Sequence, residues 1–393
     1  MIRTIHINDF KSIVEQPIEL GRVNCLIGAN GSGKSNILEA IGVLSAAANG
    51  RVDDESLMRR GVRVGTPSLF KSSFETAKTS PQITLSATGD THEEYSVSLL
   101  NPLENPNPAW NFKTELLSNG VEKIFSRGMR SPDMNLQKDR GLAALKIIDL
   151  AATNPAAQLI QQLQNYAIYS PNTPAMRGIV TDPQSRDPIG LAGGRLAEGF
   201  ADLRKNLLDK NEDLLDSVFE LIDWVAEIET SHPSSAILSS SVPSTKYVLK
   251  FTDRFMRKNR NTLTAYDASE GALYVLFCAL LCLAPNAPKI FAIDNLDQAL
   301  NPKLVARLTS KLATWLTVAD PQRQLLFTAH NPAVLDGLDL TDDEVRLFAV
   351  ERNNKGYTEV RRIKPSNELL ALNENYPLSR LWLMGRLGAI PNV

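Results

Sequence analysis

Residues 28–35 constrain this chain more than any other segment, because they read Gly-Ala-Asn-Gly-Ser-Gly-Lys-Ser. This spacing fits the pattern in which a glycine and four further residues precede Gly-Lys-Ser. The apolar segment 23–27 before it is typical of a buried strand, and 36–48 after it has helical composition. A strand, a glycine-rich loop and a helix N-terminus in this order present backbone N–H groups to a phosphate. The segment therefore predicts binding of a nucleoside triphosphate.

Two residues of this loop have different expected roles. We expect Lys34 to reach the β- and γ-phosphate oxygens and Ser35 to hold Mg²⁺. The predicted phosphate-binding residues are Gly28, Ala29, Asn30, Gly31, Ser32, Gly33, Lys34 and Ser35. The predicted cofactors are accordingly ATP and Mg²⁺.

Composition sets broad limits on the class of protein. The 393 residues carry a formal net charge of −2, which gives no global sign of a nucleic-acid partner, although a local basic groove remains compatible with it. The three cysteines lie in apolar surroundings and indicate buried thiols in a reducing compartment. The longest apolar run, 272–284, is too short to span a bilayer, and the N-terminus does not have the form of a signal peptide. We expect a cytoplasmic protein without membrane contact.

The first 130 residues favour an antiparallel β lobe around the phosphate loop. Alternation over 2–7 predicts a first strand with a turn at 8–9, and 82–125 reads as a series of hairpins. Residues 131–264 predict a mixed insertion that serves as a lid or partner-binding region, with helical spacing over 142–165 and β pattern over 222–264. This gives domains of 1–130, 131–264 and 265–393.

The segment 265–393 predicts a largely parallel sheet, because buried apolar strands alternate with helices. Two of those strands end at polar residues. Asp294 follows four apolar residues, which places a carboxylate at a strand tip where a phosphate loop needs a second Mg²⁺ ligand. His330 follows the next strand and faces the same crevice, where it can sense a γ-phosphate.

Taken together, five segments resemble the ABC-type ATPases of the RecF/SMC class and, within it, the coil-less AAA-type ATPases related to the OLD family. The matching segments are 7–12 (Ile-Asn-Asp-Phe-Lys-Ser), 28–36 including Asn36, 268–271 (Ala-Ser-Glu-Gly), 290–302 and 328–332. This resemblance implies a P-loop ABC-type α/β head with a mixed, mostly parallel sheet, an antiparallel N-terminal β lobe and a helical/β insertion.

The resemblance also implies a composite site. In such proteins two heads sandwich two nucleotides, and each site takes its phosphate loop from one subunit and its signature serine from the other. Ser269 would then contact the γ-phosphate across a homodimer or higher homo-oligomer, near a helix N-terminus that favours anions. Lys11, Ser12 and Asn36 would lie near the phosphates or the base.

One position departs from the family pattern. Relatives usually place a catalytic glutamate after the strand-tip aspartate, and this chain has Asn295 there. An amide can orient a water molecule but cannot accept its proton, and loss of a general base costs about 10²–10⁴-fold in rate. Either Asp297 or His330 takes over as the base and hydrolysis is slow, or ATP serves as a lasting clamp.

Three functions compete on this sequence. The first is an ATP-dependent dimeric switch of a bacterial anti-phage defence system that acts with a separate, nuclease-like effector, since about 30 residues after 363 leave no room for a fused nuclease. The second is a RecF-like DNA-binding repair clamp, for which the basic run 254–260 is the candidate nucleic-acid contact. A transporter subunit is the third, and the long β insertion and weak signature count against it.

Overall fold

A computed structural model describes most of the chain. The described residues are 1–75, 80–128, 137–207, 212–235, 237–238, 242 and 246–389. Their strands are β1 Ile2–Phe10, β2 Ile13–Glu19, β3 Val23–Ile27, β4 Gln82–Gly89, β5 Glu94–Leu100, β6 Asn111–Ser118, β7 Lys123–Arg127, β8 Ile168–Tyr169, β9 Val225–Ser231, β10 Val248–Asp253, β11 Thr262–Thr264, β12 Ile290–Ile293, β13 Gln324–Ala329, β14 Val345–Arg352 and β15 Thr358–Ile363.

Helices connect and cover these strands. They are α1 Lys34–Ala48, α2 Asp54–Met58, α3 Ala143–Lys146, α4 Pro155–Gln164, α5 Thr173–Met176, α6 Leu196–Leu207, α7 Glu212–Phe219, α8 Glu270–Leu283, α9 Pro302–Ala319, α10 Asn367–Asn375 and α11 Leu378–Leu383.

The central sheet has the strand order β15-β14-β3-β13-β12-β8 and is parallel except for β15. Its inner strands are buried on both faces, as is typical of parallel sheets covered by helices. Successive residues of one strand enter two different hydrophobic cores. Phe291 and Ile293 pack into the core that contains α8 and α9, whereas Ile290 and Ala292 pack into the core that contains α1 and α4.

An antiparallel sheet lies on the α1 side, with the order β2-β1-β4-β5-β6-β7. Its strand β4 buries every second residue, so that Ile83, Leu85 and Ala87 join the core beneath α1 while the residues between them are partly exposed. A smaller antiparallel sheet, β11-β10-β9, packs near α6 and α7. The structure thus confirms the predicted α/β fold with a mixed sheet and an antiparallel β lobe.

Several element bounds differ from the prediction. Strand β1 continues to Phe10, so the predicted turn at 8–9 is wrong; Asp9 keeps its place in the strand although its φ is 59°. The helical stretch 142–165 is divided into α3 and α4, because Pro155 and its cap Asn154 begin a new helix.

The domain division at 130 and 264 stays a prediction. Strand β3 and helix α1 belong by sequence to the first unit, yet β3 pairs in the central sheet between β14 and β13. Among the described helices, none is long and apolar enough to cross a membrane.

Candidate nucleotide-binding site

The phosphate loop joins β3 to α1 at the carboxyl edge of the central sheet. Lys34 is the first residue of α1 and is almost completely buried. Its ammonium group donates to the carbonyl oxygens of Gly28, at 2.7 Å, and of Ala29, at 3.0 Å. The loop therefore curls around its own lysine, and the contact of Lys34 with phosphate oxygens stays a prediction.

Two glycines of the loop have no room for a side chain. A Cβ atom on Gly28 would collide with the carbonyl of Val350, and one on Gly33 would collide with Thr358. Both glycines also have positive φ, 155° and 113°, which other residues rarely adopt. The neighbouring Ser32 is buried, and its Oγ atom has no hydrogen-bond partner within the protein.

Opposite the loop, the tips of β12 and β13 place the side-chain oxygens of Asp294 and Thr328 beside that of Ser35. Both carboxylate oxygens of Asp294 lie 3.2 Å from Ser35 Oγ. Thr328 donates from Oγ1 to Asp294 Oδ1 at 2.6 Å and accepts from the backbone N–H of Asn295 at 2.8 Å. The structure thus brings the two predicted Mg²⁺ ligands into contact.

The next residue, Asn295, faces His330 across the same two strand tips. His330 Nε2 lies 3.1 Å from Asn295 Oδ1, and the backbone of Asn295 has a φ of 57°. An amide oxygen only accepts, so in the neutral imidazole this contact places the ring proton on Nε2 and leaves Nδ1 as an acceptor. His330 and Asn295, both predicted to act in hydrolysis, are therefore hydrogen-bonded to each other.

The carboxylate of Asp297 accepts hydrogen bonds from the backbone of the segment that carries His330. Its Oδ2 atom accepts from the backbone N–H of His330, at 2.8 Å, and from that of Asn331. Asp297 is also largely buried. These contacts favour a positioning role, in which Asp297 holds the loop that carries His330, over the role of general base.

Charge and burial set the protonation of the two titrating groups beside the loop. Burial lowers the pKa of Lys34, while the carboxylates Asp294 and Asp297 oppose that change. Burial, followed by the nearby ammonium of Lys34, lowers the pKa of His330 below 6.5, against the opposing effect of the same carboxylates. His330 is therefore neutral at pH 7, as the tautomer above requires.

The residues predicted from the 7–12 segment take two different positions. Ser12 is buried and braces the loop, because its Oγ atom accepts from Asn36 Nδ2 and is hydrogen-bonded to Thr358 Oγ1, each at 2.7 Å. Lys11 instead pairs with Glu39, and its ammonium lies 5.0 Å from the centre of the Phe70 ring. The contacts of Lys11 are thus made away from the phosphate loop, and its role toward a nucleotide stays a prediction.

The signature residue Ser269 is exposed and caps α8. Its Oγ atom accepts from the backbone N–H of Ala272 at 3.4 Å, so the start of α8 opens at the protein surface. Arg177, which directly follows α5, donates to the carbonyl of Ala268 at 3.1 Å and ties the end of that helix to the signature segment. No contact joins Ser269 to the phosphate loop of its own chain among those that the described residues make.

Sequence reasoning missed three residues that shape the site. Thr328 orients Asp294, Thr358 donates to the carbonyl of Ser32 at 2.7 Å, and Arg352 donates to the carbonyl of Gly31 at 3.0 Å. Thr328 lies at the end of an apolar strand, and its position beside His330 was a usable signal. Thr358 and Arg352 come from β15 and β14, more than 300 positions from the loop, and no local pattern points to them.

The residues present fit a magnesium nucleotide. Mg²⁺ prefers hard oxygen ligands and usually takes only one or two carboxylates beside substrate phosphates. Ser35 and Asp294 offer that set, and the described residues contain no group of three or more His, Cys, Asp or Glu side chains that would hold a metal alone. The unpartnered Ser32 hydroxyl and the Lys34 ammonium supply further donors for an anion.

A family model matches residues 23–336, which is most of the chain and includes both the phosphate loop and the strand tips. The family is described as "AAA domain, putative AbiEii toxin, Type IV TA system". An uncharacterized protein of Methanocaldococcus jannaschii is 45% identical over 51 residues, which is 13% of this chain and 23% of that protein. The match thus spans about a quarter of the length of that relative.

Two solved structures share the fold at low identity. One is an SMC head domain bound to the C-terminal winged-helix domain of ScpA, with a TM-score of 0.55 and 13% identity; the alignment covers 94% of this chain and 99% of that chain. The other is the Smc head domain with an extended coiled coil, bound to the C-terminal domain of ScpA, from Pyrococcus furiosus. Its TM-score is 0.51 at 12% identity, with 95% and 99% coverage. The chain therefore has the fold of an SMC head.

Proposed function

Because the chain belongs to this AbiEii-type AAA-domain family and has an SMC-head fold, we propose that it is an ATP-binding switch that hydrolyses its nucleotide slowly. The observation that carries this proposal is the pairing of Ser35 with Asp294 directly beside the buried ammonium of Lys34. These are the donors and acceptors that a triphosphate with Mg²⁺ needs, and they come from segments 259 positions apart.

Binding uses the loop and the first turn of α1. On binding, the ammonium of Lys34 donates to phosphate oxygens in place of the loop carbonyls. The free N–H groups at the start of α1 face the same anion. Ser35 and Asp294 would hold Mg²⁺, with Thr328 fixing the orientation of the carboxylate. When bound, Mg²⁺ neutralises charge on the phosphates and helps orient them for attack.

Slow turnover follows from the pair at the strand tips. Asn295 cannot accept a proton, and His330 already engages its Nε2 atom with the Asn295 amide. Asp297 holds the backbone of the His330 segment. The route that remains for the proton of the attacking water is His330 Nδ1, in a ring whose lowered pKa makes it a weak base.

The proposed active form is a homodimer in which each site is completed by the other protomer. Support comes from Ser269, which is exposed at the N-terminus of α8 and bonded only locally. The sensor role in anti-phage defence, a separate nuclease-like effector, the relation to the OLD family and a cytoplasmic location are further parts of this proposal. They rest on the resemblance of the five sequence segments and on the toxin–antitoxin description of the family.

A test of the switch is ATP-dependent assembly. Mass photometry should show dimers with ATP and Mg²⁺, and Ser269→Arg should reduce both dimer formation and phosphate release because a long cation would occupy the shared site. Lys34→Ala, which cannot hold the nucleotide, serves as the control that remains monomeric. Normal assembly and hydrolysis by Ser269→Arg would show that the site is not composite.

One observation favours the alternative of a DNA-binding clamp. The connection between β10 and β11 carries Arg254, Arg257, Lys258 and Arg260, and between them Phe255 is 78% exposed. A basic hairpin tip with an exposed aromatic ring can contact backbone phosphates and stack on a base. Replacing Arg257, Lys258 and Arg260 together by Gln should weaken DNA binding with a shallower salt dependence if this alternative holds; no DNA binding by the parent protein would exclude it.

A further inference from the structure

A second cavity lies at the opposite edge of the central sheet from the phosphate loop. It is an open cavity of about 590 Å³ between the end of α1 at Asn49, the end of α4 at Asn165 and the segment 285–289 before β12. Helix α1 separates the two sites, since its 15 residues span ~22 Å. The cavity is therefore distinct from the nucleotide site and is outside the carboxyl-edge crevice.

The walls of this cavity are strongly cationic. Arg59, Arg60, Arg186 and Lys289 line it, against a single carboxylate, Asp187. Asp187 is itself paired with Arg195, at 2.8 Å, outside the lining. Arg59 also lines the cavity, although it pairs with Glu55 and its side chain is 63% exposed.

In the contacts that the described residues make, the two inner guanidinium groups donate only to uncharged acceptors. Arg60 donates to Ser45 Oγ at 2.6 Å and to the carbonyl of Ser56 at 2.7 Å. Arg186 donates to the carbonyls of Arg59, at 3.1 Å, and of Asn165, at 2.8 Å. Burial, together with the repulsion of Arg186 and Arg59, lowers the pKa of Arg60 to about 9, so it stays charged at neutral pH.

Part of this positive charge has a structural reason. The guanidinium of Arg186 satisfies a carbonyl at the end of α4, and a helix C-terminus carries about half an elementary negative charge. The ends of α1 and α4 together supply about one such charge. Glu55 compensates Arg59, and Arg195 compensates Asp187, so Arg60, Arg186 and Lys289 remain against the two helix ends. An excess of about two positive charges therefore faces the cavity.

We propose that this cavity binds a small phosphorylated anion through Arg59, Arg60, Arg186 and Lys289. Guanidinium forks match phosphate oxygens, and a cavity of this size accommodates a group between inorganic phosphate and a nucleotide. Such a ligand would compensate the repulsion between Arg60 and Arg186. The site is independent of the ATPase proposal, because none of its lining residues belongs to the phosphate loop or the strand tips.

Pyrophosphate is a suitable probe. Its binding is measured by calorimetry on Lys34→Ala, because this substitution removes binding at the phosphate loop. We expect this variant still to bind pyrophosphate, and the added pair Arg59→Gln and Lys289→Gln to weaken that binding at least about tenfold. Both replaced side chains are exposed, so the fold is kept. Lys123→Gln, an exposed cation on the distant strand β7, is the matched control and should leave the affinity unchanged.

Two outcomes would overturn the proposal: no pyrophosphate binding by Lys34→Ala, or equal binding with and without the Arg59 and Lys289 replacements. The same comparison in the parent protein, with a non-hydrolysable ATP analogue already bound, keeps the test valid should Lys34→Ala not fold. Phosphate and AMP as further probes identify the source of the ligand. Tighter AMP binding indicates a nucleotide, and equal binding indicates recognition of the phosphate group alone.

Discussion

The phosphate loop and the tips of β12 and β13 face each other across the same crevice, yet they differ in the chemistry that they offer a nucleotide. The loop has a buried lysine that donates to two carbonyl oxygens of the loop. It also has two glycines, at which any side chain would collide with neighbouring residues. The tips carry the carboxylate of Asp294, but the next residue is an amide, Asn295, which cannot accept a proton. This difference supports the proposal that binding and hydrolysis of the nucleotide are separable in this molecule.

The largest expected effect comes from removing the loop lysine. Lys34→Ala should lower ATP affinity at least about 100-fold, because it deletes a charge-assisted contact to the phosphates worth about 3 kcal/mol. Isothermal titration calorimetry measures this directly, with Lys123→Ala as the control for a lost surface cation. Unchanged affinity in Lys34→Ala would remove the basis for a nucleotide site at this loop.

On the other side of the crevice, variants of Asp297 test whether it is a positioning residue or a general base. Asp297→Ala leaves two backbone N–H groups without an acceptor and should cost about 2–3 kcal/mol in the free energy of unfolding. Asp297→Asn keeps an oxygen in place and should cost less than about 1 kcal/mol. Urea denaturation measures both values.

The rate of phosphate release separates the two roles of Asp297. If Asp297 is a positioning residue, Asp297→Asn should keep most of the residual turnover, because the His330 segment stays anchored. Loss of that turnover in a variant that remains fully folded would instead identify Asp297 as the base.

Within the loop, two glycines make a matched pair. A Cβ at Gly33 collides with Thr358, whereas a Cβ at Gly31 has no atom within 4 Å, although both positions have positive φ. Gly31→Ala should therefore show only the backbone strain, about 1 kcal/mol, and Gly33→Ala about 2 kcal/mol together with weaker ATP binding. Thermal unfolding and calorimetry check both, and equal effects of the two changes would mean that the collision is relieved by local movement.

The two sides of the crevice also show how far sequence reasoning reaches. The loop, its strand and its helix are local in sequence, so their spacing predicts the geometry, and the apolar run before Asp294 predicts a strand tip. The bond between His330 and Asn295 and the contact of Thr358 with Ser32 depend on which strands become neighbours. That information is tertiary, and no periodicity within one segment contains it.

The role of Asp297 shows the same limit. A carboxylate two residues beyond Asn295 was a reasonable substitute base by spacing alone. The turn after β12 instead directs it toward the backbone of the next strand's end. The positive φ of Asn295 was equally hidden, and it adds a cost of about 1 kcal/mol to any replacement there by a residue that disfavours this conformation.

The smallest expected effect is a pH dependence of stability. The folded protein holds the pKa of His330 below its usual 6.5, so the unfolded chain takes up this proton first as the pH falls. The stability contribution of the neutral ring is complete above pH 6.5 and is lost as the pH falls through the lowered pKa. Chemical denaturation from pH 7.5 to 5 should show a steeper decline for the parent than for His330→Gln, and parallel curves would contradict the assignment.

The most direct test of separable binding and hydrolysis is steady-state phosphate release by the parent and by Asn295→Glu, with ATP affinity measured in the same buffer. The account predicts tight Mg²⁺–ATP binding by the parent with turnover well below the usual range of about 1–10³ per second. It also predicts that Asn295→Glu raises turnover at least about tenfold, because a carboxylate can accept the proton of the attacking water. A parent that is already fast, and that Asn295→Glu leaves unchanged or slower, would contradict the account.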